Sequence, residues 1–293
     1  VSFLDIYSNK KDFPMLANLP LRAAAPDAEK TARLGPLAEL EGSWFGRGFD
    51  LIALPDKQNN GIFRLMLNST MERIDFTAIG SPVPNRGFAQ DDILIYGLTY
   101  TQQVNDAEKM GTLHIENGMW LNVPETTAPP APASIVRQAS VPHGNALLVQ
   151  GTGRTVQGKP DISPISTKPT GPGMANVGLG YLDPYSHSNL PTGMKQGYVT
   201  DMSLPLRDAM EGQNIVSNVL LNVASSATDS GVVSIPFAGP NAEPVGIKAT
   251  FWIETVQRPD GSQFLQLQYS QTVMLRFFDI DWPHVSVGTL IKT

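Results

Sequence analysis

Four histidines and no cysteine narrow the metal-binding and nucleophilic chemistry open to this chain. His284 stands in Asp-Trp-Pro-His-Val-Ser-Val, at the start of the last strand pattern. A neutral imidazole at the mouth of a strand can ligate a metal through one ring nitrogen. His114 lies in Leu-His-Ile-Glu-Asn-Gly, and a strand would place Glu116 on its face. That couple is either a hydrogen-bonded pair on a sheet surface or a pocket wall in which Glu116 orients the ring. His143, in Pro-His-Gly-Asn, reads as a turn residue, and His187 belongs to a loop-rich stretch. The acidic pairs Asp91-Asp92 and Asp279/Asp281 fall at strand ends, where solvated turn carboxylates are expected.

Other catalytic patterns are missing from the sequence. It has no Gly-x-Ser-x-Gly elbow, no Gly-Lys-Ser/Thr phosphate loop and no His-Glu-x-x-His zinc motif. Gly46-Arg-Gly48 and Gly171-Pro-Gly173 lack a third glycine at dinucleotide spacing. A net charge of −6 with scattered basic residues argues against nucleic acid and anionic membrane as partners. No apolar run is long enough for a membrane span. No signal-like stretch opens the sequence at Val1, so a cytoplasmic location is expected, with a mature secreted form left open.

The elements that must position these groups are strands. From Leu34 onward, alternating segments are separated by Asn59-Asn60-Gly61, Pro84-Asn85-Arg86-Gly87, Asn117-Gly118 and His143-Gly144-Asn145. They run over 44–53, 62–80, 92–104, 111–123, 134–141 and 145–151, then 214–224, 232–237, 248–256, 263–278 and 285–292. Leu265, Leu267, Tyr269, Val273, Leu275 and Phe277 alternate with polar residues, and Pro259-Asp260-Gly261 turns that strand back on 248–256. Residues 1–293 are read as one mainly β domain, an antiparallel barrel. Residues 1–33 form an N-terminal arm expected to pack on the body through Phe3, Leu4, Ile6, Phe13, Leu16 and Leu19. Residues 154–199 form a Gly/Pro-rich insertion and candidate lid, and Pro205 to Gly212 reads as a short helix.

On the last strand, His284, Ser286, Gly288 and Leu290 share one face, and Val285, Val287, Thr289 and Ile291 the other. Apolarity alone would put the valine face inside. Small residues beside a histidine are, however, what a flat ligand needs in order to lie against a barrel wall.

Gly42, Trp44, Gly46 and Gly48 resemble the first-strand signature of nitrobindin-like calycin β-barrels. Residues 113–121 resemble that family's central hairpin, and 271–287 its final two strands. The chain is also similar to bacterial proteins labelled haem-binding, through Ile79-Gly-Ser-Pro-Val-Pro-Asn-Arg-Gly87, Gly212-Gln-Asn-Ile215, Ile235-Pro-Phe237 and Phe251-Trp-Ile-Glu-Thr-Val256. This resemblance spans roughly Leu34 to Ile291, excluding much of the insertion.

It implies a calycin-like barrel that binds haem, with His284 as the iron ligand and His114 in the pocket wall. Trp44 would lie in the wall or at the barrel floor; its first-strand position equally suits a core plug at a closed end. His114 and Arg86 are the candidate distal groups. The implied activity is peroxidase-like or directed at small oxygen or nitrogen species. The alternative is a haem-free, lipocalin-like barrel that binds, isomerises or cyclises a small apolar organic molecule. A small-molecule ligand is the expected partner in both cases.

Overall fold

Alternation along the strands closes into a barrel. The computed structural model describes residues 27–293 apart from 60, 179, 181 and 227–229. The expected packing of the arm through Phe3 to Leu19 lies outside the described residues. Before the insertion come β1 (Gly42–Asp56), β2 (Gly61–Ala78), β3 (Val83–Asn85), β4 (Ile93–Asp106), β5 (Thr112–Val123), β6 (Thr126–Thr127), β7 (Pro130–Ala131), β8 (Ser134–Val141) and β9 (Asn145–Gln157). After it come β10 (Asn214–Ala224), β11 (Gly231–Ser234), β12 (Glu243–Gln257), β13 (Gln263–Phe277) and β14 (Ile280–Lys292). Three short α-helices, α1 (Asp27–Leu34), α2 (Asp183–His187) and α3 (Leu204–Ala209), lie outside the strands.

Ten strands form a closed antiparallel meander. Their order is β1-β2-β4-β5-β8-β9-β10-β12-β13-β14, and β14 pairs back on β1. Full closure leaves the barrel strands no free edge. The expected mainly β antiparallel barrel is the observed fold, with a few short helices.

One end of the barrel is plugged. Leu34 of α1, with Leu37 and Leu40 of the following turn of 3-10 helix, packs against Trp44, Ile74, Leu98 and Trp120. The Trp44 indole N–H donates to the Leu40 carbonyl at 2.7 Å, and the Lys292 ammonium lies 5.3 Å from the ring centroid. The strand register places the β1–β2, β4–β5, β8–β9 and β13–β14 turns at the opposite end.

The insertion clads the outer wall. Arg154 to Gln157 complete β9, so the irregular stretch begins at Gly158. Its Ile162, Tyr185, Met194, Tyr198 and Val199, followed by Met202 and Leu206, form a second apolar core with Leu51, Val285, Val287, Trp252 and Val256. Phe49 meets Tyr198 edge-on, with ring centroids 5.5 Å apart. The stretch considered as a lid therefore covers the sides of β1, β12 and β14. The reason is physical: these outward faces are too apolar to meet water, and the insertion buries them.

This cladding decides the direction of β14. Val285 and Val287 are buried outside the barrel under the insertion, so His284, Ser286 and Gly288 face inward. His284 sits opposite Ile52 on one side and Val273 on the other, and Val273 packs against the barrel core. The helix expected from Pro205 spans Leu204–Ala209, with Pro205 in its first turn and Gly212 beyond its end at φ 73°.

Candidate functional site

Three histidines gather toward the end opposite the plug. His284 enters from β14, His114 from β5, and His143 from the β8–β9 turn. The His114 and His143 rings lie 5.7 Å apart, centroid to centroid. Burial, with the nearby His114 and His143, pushes the His284 imidazole down to about 3, so the ring is neutral at physiological pH. At the rim, partial desolvation and the nearby His114 also lower His143.

Beneath the histidines the interior is polar and charged. Glu116 is buried, with one oxygen 3.3 Å from His114 Nε2. Its other oxygen accepts from Arg137 Nη2 at 2.5 Å and from the Tyr100 hydroxyl. Arg137 also donates through Nε to the Tyr100 oxygen at 3.0 Å and through Nη1 to Gln271 Oε1 at 2.7 Å. Burial pushes the Glu116 carboxyl up, but Arg137, His114 and Tyr100 outweigh it and hold the group down at about 2. A carboxylate acceptor calls for a proton on His114 Nε2, leaving Nδ1 toward other partners.

A second pair of acids lies nearby. Asp50 of β1 is buried, hydrogen-bonded to Ser286 of β14, and senses His114; burial raises it to about 6. Glu72 of β2 accepts from Thr70 Oγ1 at 2.6 Å and from the Tyr269 hydroxyl at 2.5 Å. Burial and the neighbouring Asp50 raise Glu72 to about 7. Glycines make the room it occupies: a Cβ on Gly48 would stand 2.6 Å from Glu72 Oε1, and one on Gly288 would stand 2.5 Å from Tyr269 Cε1. Asn68, opposite Asp50 in the register, donates to Asp106 Oδ2 at 3.0 Å, and its own buried Oδ1 has no partner among the described residues.

The structure brings His284, His114 and Glu116 together and adds His143, which the sequence suggested only as a turn residue. It separates the others. Trp44 is fully buried beside the plug, at the far end of the barrel. Arg86 is exposed in the β2–β4 connection at that same far end, paired with Asp92. His187 lies on exposed α2 within the cladding, with Nδ1 3.2 Å from the Asp183 carbonyl oxygen. Asp281 is bound to Arg276 at 2.6 and 3.0 Å. Asp50, Glu72 and Arg137 were not legible as site residues. Their one signal is a charged residue at an inward position of an otherwise apolar strand, as in Ile135-x-Arg137-x-Ala139.

A groove of about 740 Å³ also runs between residues 161–166 and the outer faces of β10, β12 and β13. It lies on the other side of the wall from the histidines. Among the described residues no three His, Asp or Glu side chains converge to hold a bare metal ion.

Fold and site together define a closed antiparallel barrel with a histidine-bearing mouth, an arrangement suited to a small ligand. No family model matches the sequence, and no curated protein matches it. Among solved structures, the crystal structure of Rv2717c from M. tuberculosis aligns over 92% of this chain and 99% of that one, at 16% identity and a TM-score of 0.44. Among the described residues no helix is long and apolar enough to cross a membrane.

Proposed function

We propose that the barrel mouth binds haem, with His284 as its single protein ligand to iron. The observation that carries this reading is an inward, neutral imidazole flanked by Ile52 and Val273, with two further imidazoles nearby. Haem iron needs one neutral nitrogen from the protein, whereas a bare ion needs several converging ligands. The donor set therefore suits haem and does not suit a bare ion. Bound haem would supply redox chemistry and an iron site for small oxygen or nitrogen species.

The chain's own residues have definable parts in this reading. β14 is hydrogen-bonded on both sides, to β1 and β13, which fixes the backbone that carries His284. Glu116 fixes the His114 ring by accepting from Nε2, and Arg137 keeps Glu116 ionised. His143 stands at the rim as a polar side chain exposed to solvent.

Titration of the purified protein with haemin, followed by the Soret band, tests the proposal. The wild type is expected to shift and sharpen the band at near-stoichiometric haemin. His284→Ala is expected to lose that shift, and His114→Ala to keep coordination with a changed spectrum. A wild type that leaves haemin unchanged, or a His284→Ala protein with wild-type spectrum and affinity, rejects it.

A further inference from the structure

The charges inside the barrel do not balance as side chains alone. Among the described residues Arg137 is the buried cation of the interior, and its side chain bonds to Glu116, Tyr100 and Gln271. Asp50 and Glu72 are equally buried, and among the described residues no Arg or Lys bonds to either; Glu72 Oε1 reaches to within 2.6 Å of where a Gly48 Cβ would stand, two residues from Asp50 on the same inward face of β1. Two uncompensated carboxylates in such a place would each cost several kcal/mol (roughly, for a buried ion). Neighbouring carboxyls that cannot both ionise hold a proton between them.

The surroundings admit one proton and suggest where it rests. On β1, Asp50 faces Ser286 of β14 and feels His114 of β5, a group that can carry positive charge. On β2, Glu72 faces Tyr269 of β13 and Thr70, and a Cβ on Gly48 or Gly288 would intrude on its oxygens. Gln102 of β4 donates to the Tyr269 oxygen at 3.3 Å, so that hydroxyl is left to donate to Glu72. The other charged groups nearby are already engaged: Asp106 of β4 accepts from Asn68 and from the backbone N–H groups of Glu108 and Lys109. His284 and His143 are held toward the neutral form. Thr70 can turn its hydroxyl from donor to acceptor and so serve either state of Glu72.

We propose that Asp50 and Glu72 form an acid pair that holds one proton in the neutral pH range, with Asp50 carrying the charge toward His114 and Glu72 carrying the proton. The pair is a proton-storing site beneath the mouth, and its state is tied to charge on His114. Its existence does not depend on haem; its use by a ligand rests on the ligand-site reading above.

Carbon-13 carboxyl and imidazole NMR of the full, ligand-free chain across pH tests it, with assignments from Asp50→Asn and Glu72→Gln. In the wild type, Glu72 is expected to titrate in the neutral range. In Asp50→Asn, its midpoint should fall by more than half a pH unit (roughly), since a single nearby charge is worth about that much or more. If Asp50→Asn does not fold, Asp50→Ser supplies the neutral replacement and the Glu72 midpoint must fall in it; the Asp50 midpoint in Glu72→Gln should stay in place, because Glu72 is already neutral when Asp50 titrates. Two carboxyls that both titrate in the ordinary acidic range, or a Glu72 midpoint unmoved by removal of the Asp50 carboxyl, overturn the proposal. No haemin is used, so failure here leaves the haem reading standing, and failure of haemin binding leaves the pair standing.

Discussion

Removing the Arg137 guanidinium should be among the most damaging single changes in the barrel interior. Both partners of the Glu116–Arg137 pair are 1% exposed, 2.5 Å apart, and joined to Tyr100 and Gln271. Arg137→Met keeps apolar volume but leaves Glu116 ionised among apolar rings, facing only His114 and Tyr100. Two routes give the magnitude. Breaking a buried pair by removing one partner costs about 3–5 kcal/mol. Independently, the surroundings hold Glu116 at about 2 instead of 4.5; at about 1.4 kcal/mol per pH unit, that difference is about 3 kcal/mol. The sign follows from the lowered value: this stabilisation is complete above 4.5 and is lost as pH falls toward about 2.

The assay is urea unfolding at neutral pH of the wild type, Arg137→Met, Glu116→Leu and the double variant Glu116→Leu/Arg137→Met. Each single change is expected to cost about 3 kcal/mol or more, and the double change much less than their sum, because no charge is then left unpaired. A cost for Arg137→Met below about 1 kcal/mol, or strict additivity in the double variant, would refute the reasoning.

Three further outcomes are expected. His284 lies below its unfolded value of 6.5, at about 3, so its neutral form favours folding; stability should decline as pH falls below 6.5, and His284→Asn should flatten that decline in a pH series of urea unfolding. An unaltered acid limb would mean that the ring is well solvated. Gly288→Ala puts a Cβ 2.5 Å from Tyr269 Cε1; a loss of about 1–3 kcal/mol is expected from overpacking, and an unchanged melting temperature would show that Tyr269 yields freely. Val285→Ser should cost about 1.5–3 kcal/mol by exposing an apolar contact and speed proteolysis within the cladding, while haemin affinity stays unchanged. A changed affinity with unchanged proteolysis would point to a lid.

The barrel was legible because its strands announce themselves locally: alternation of period two, bounded by Gly- and Asn-containing turns. Which face of a strand points inward was not legible for β14. Period two separates the faces without naming them, and both faces of this strand are covered, one by the barrel core and the other by the insertion. The irregular character of the insertion could be read from its composition, but its seat depended on apolar partners more than a hundred positions away, such as Leu51. The polar site was harder still. Glu72 and Tyr269 are separated by 197 positions, and Arg137 and Glu116 by 21. A single charged residue in an apolar strand gives no hint of its partner, so His114–Glu116, a local couple, was visible where Asp50–Glu72 was not.

The interior changes character along the barrel. Around the plug, Leu37, Leu40, Trp44, Leu98 and Trp120 form an apolar core with little exposed surface. Toward the mouth, one wall carries Glu116, Arg137, Asp50, Glu72 and Gln102, all buried. Well-packed hydrophobic residues of similar volume would often be as stable there or more so. Such buried charges are therefore not explained by stability alone. The outer cladding helps the fold tolerate them, since Val285, Val287, Leu51 and Trp252 gain outside the barrel the burial that the polar wall forgoes inside. β14 is where the two demands meet: its valines anchor the cladding, and on the opposite face of the same strand His284 is turned toward the mouth.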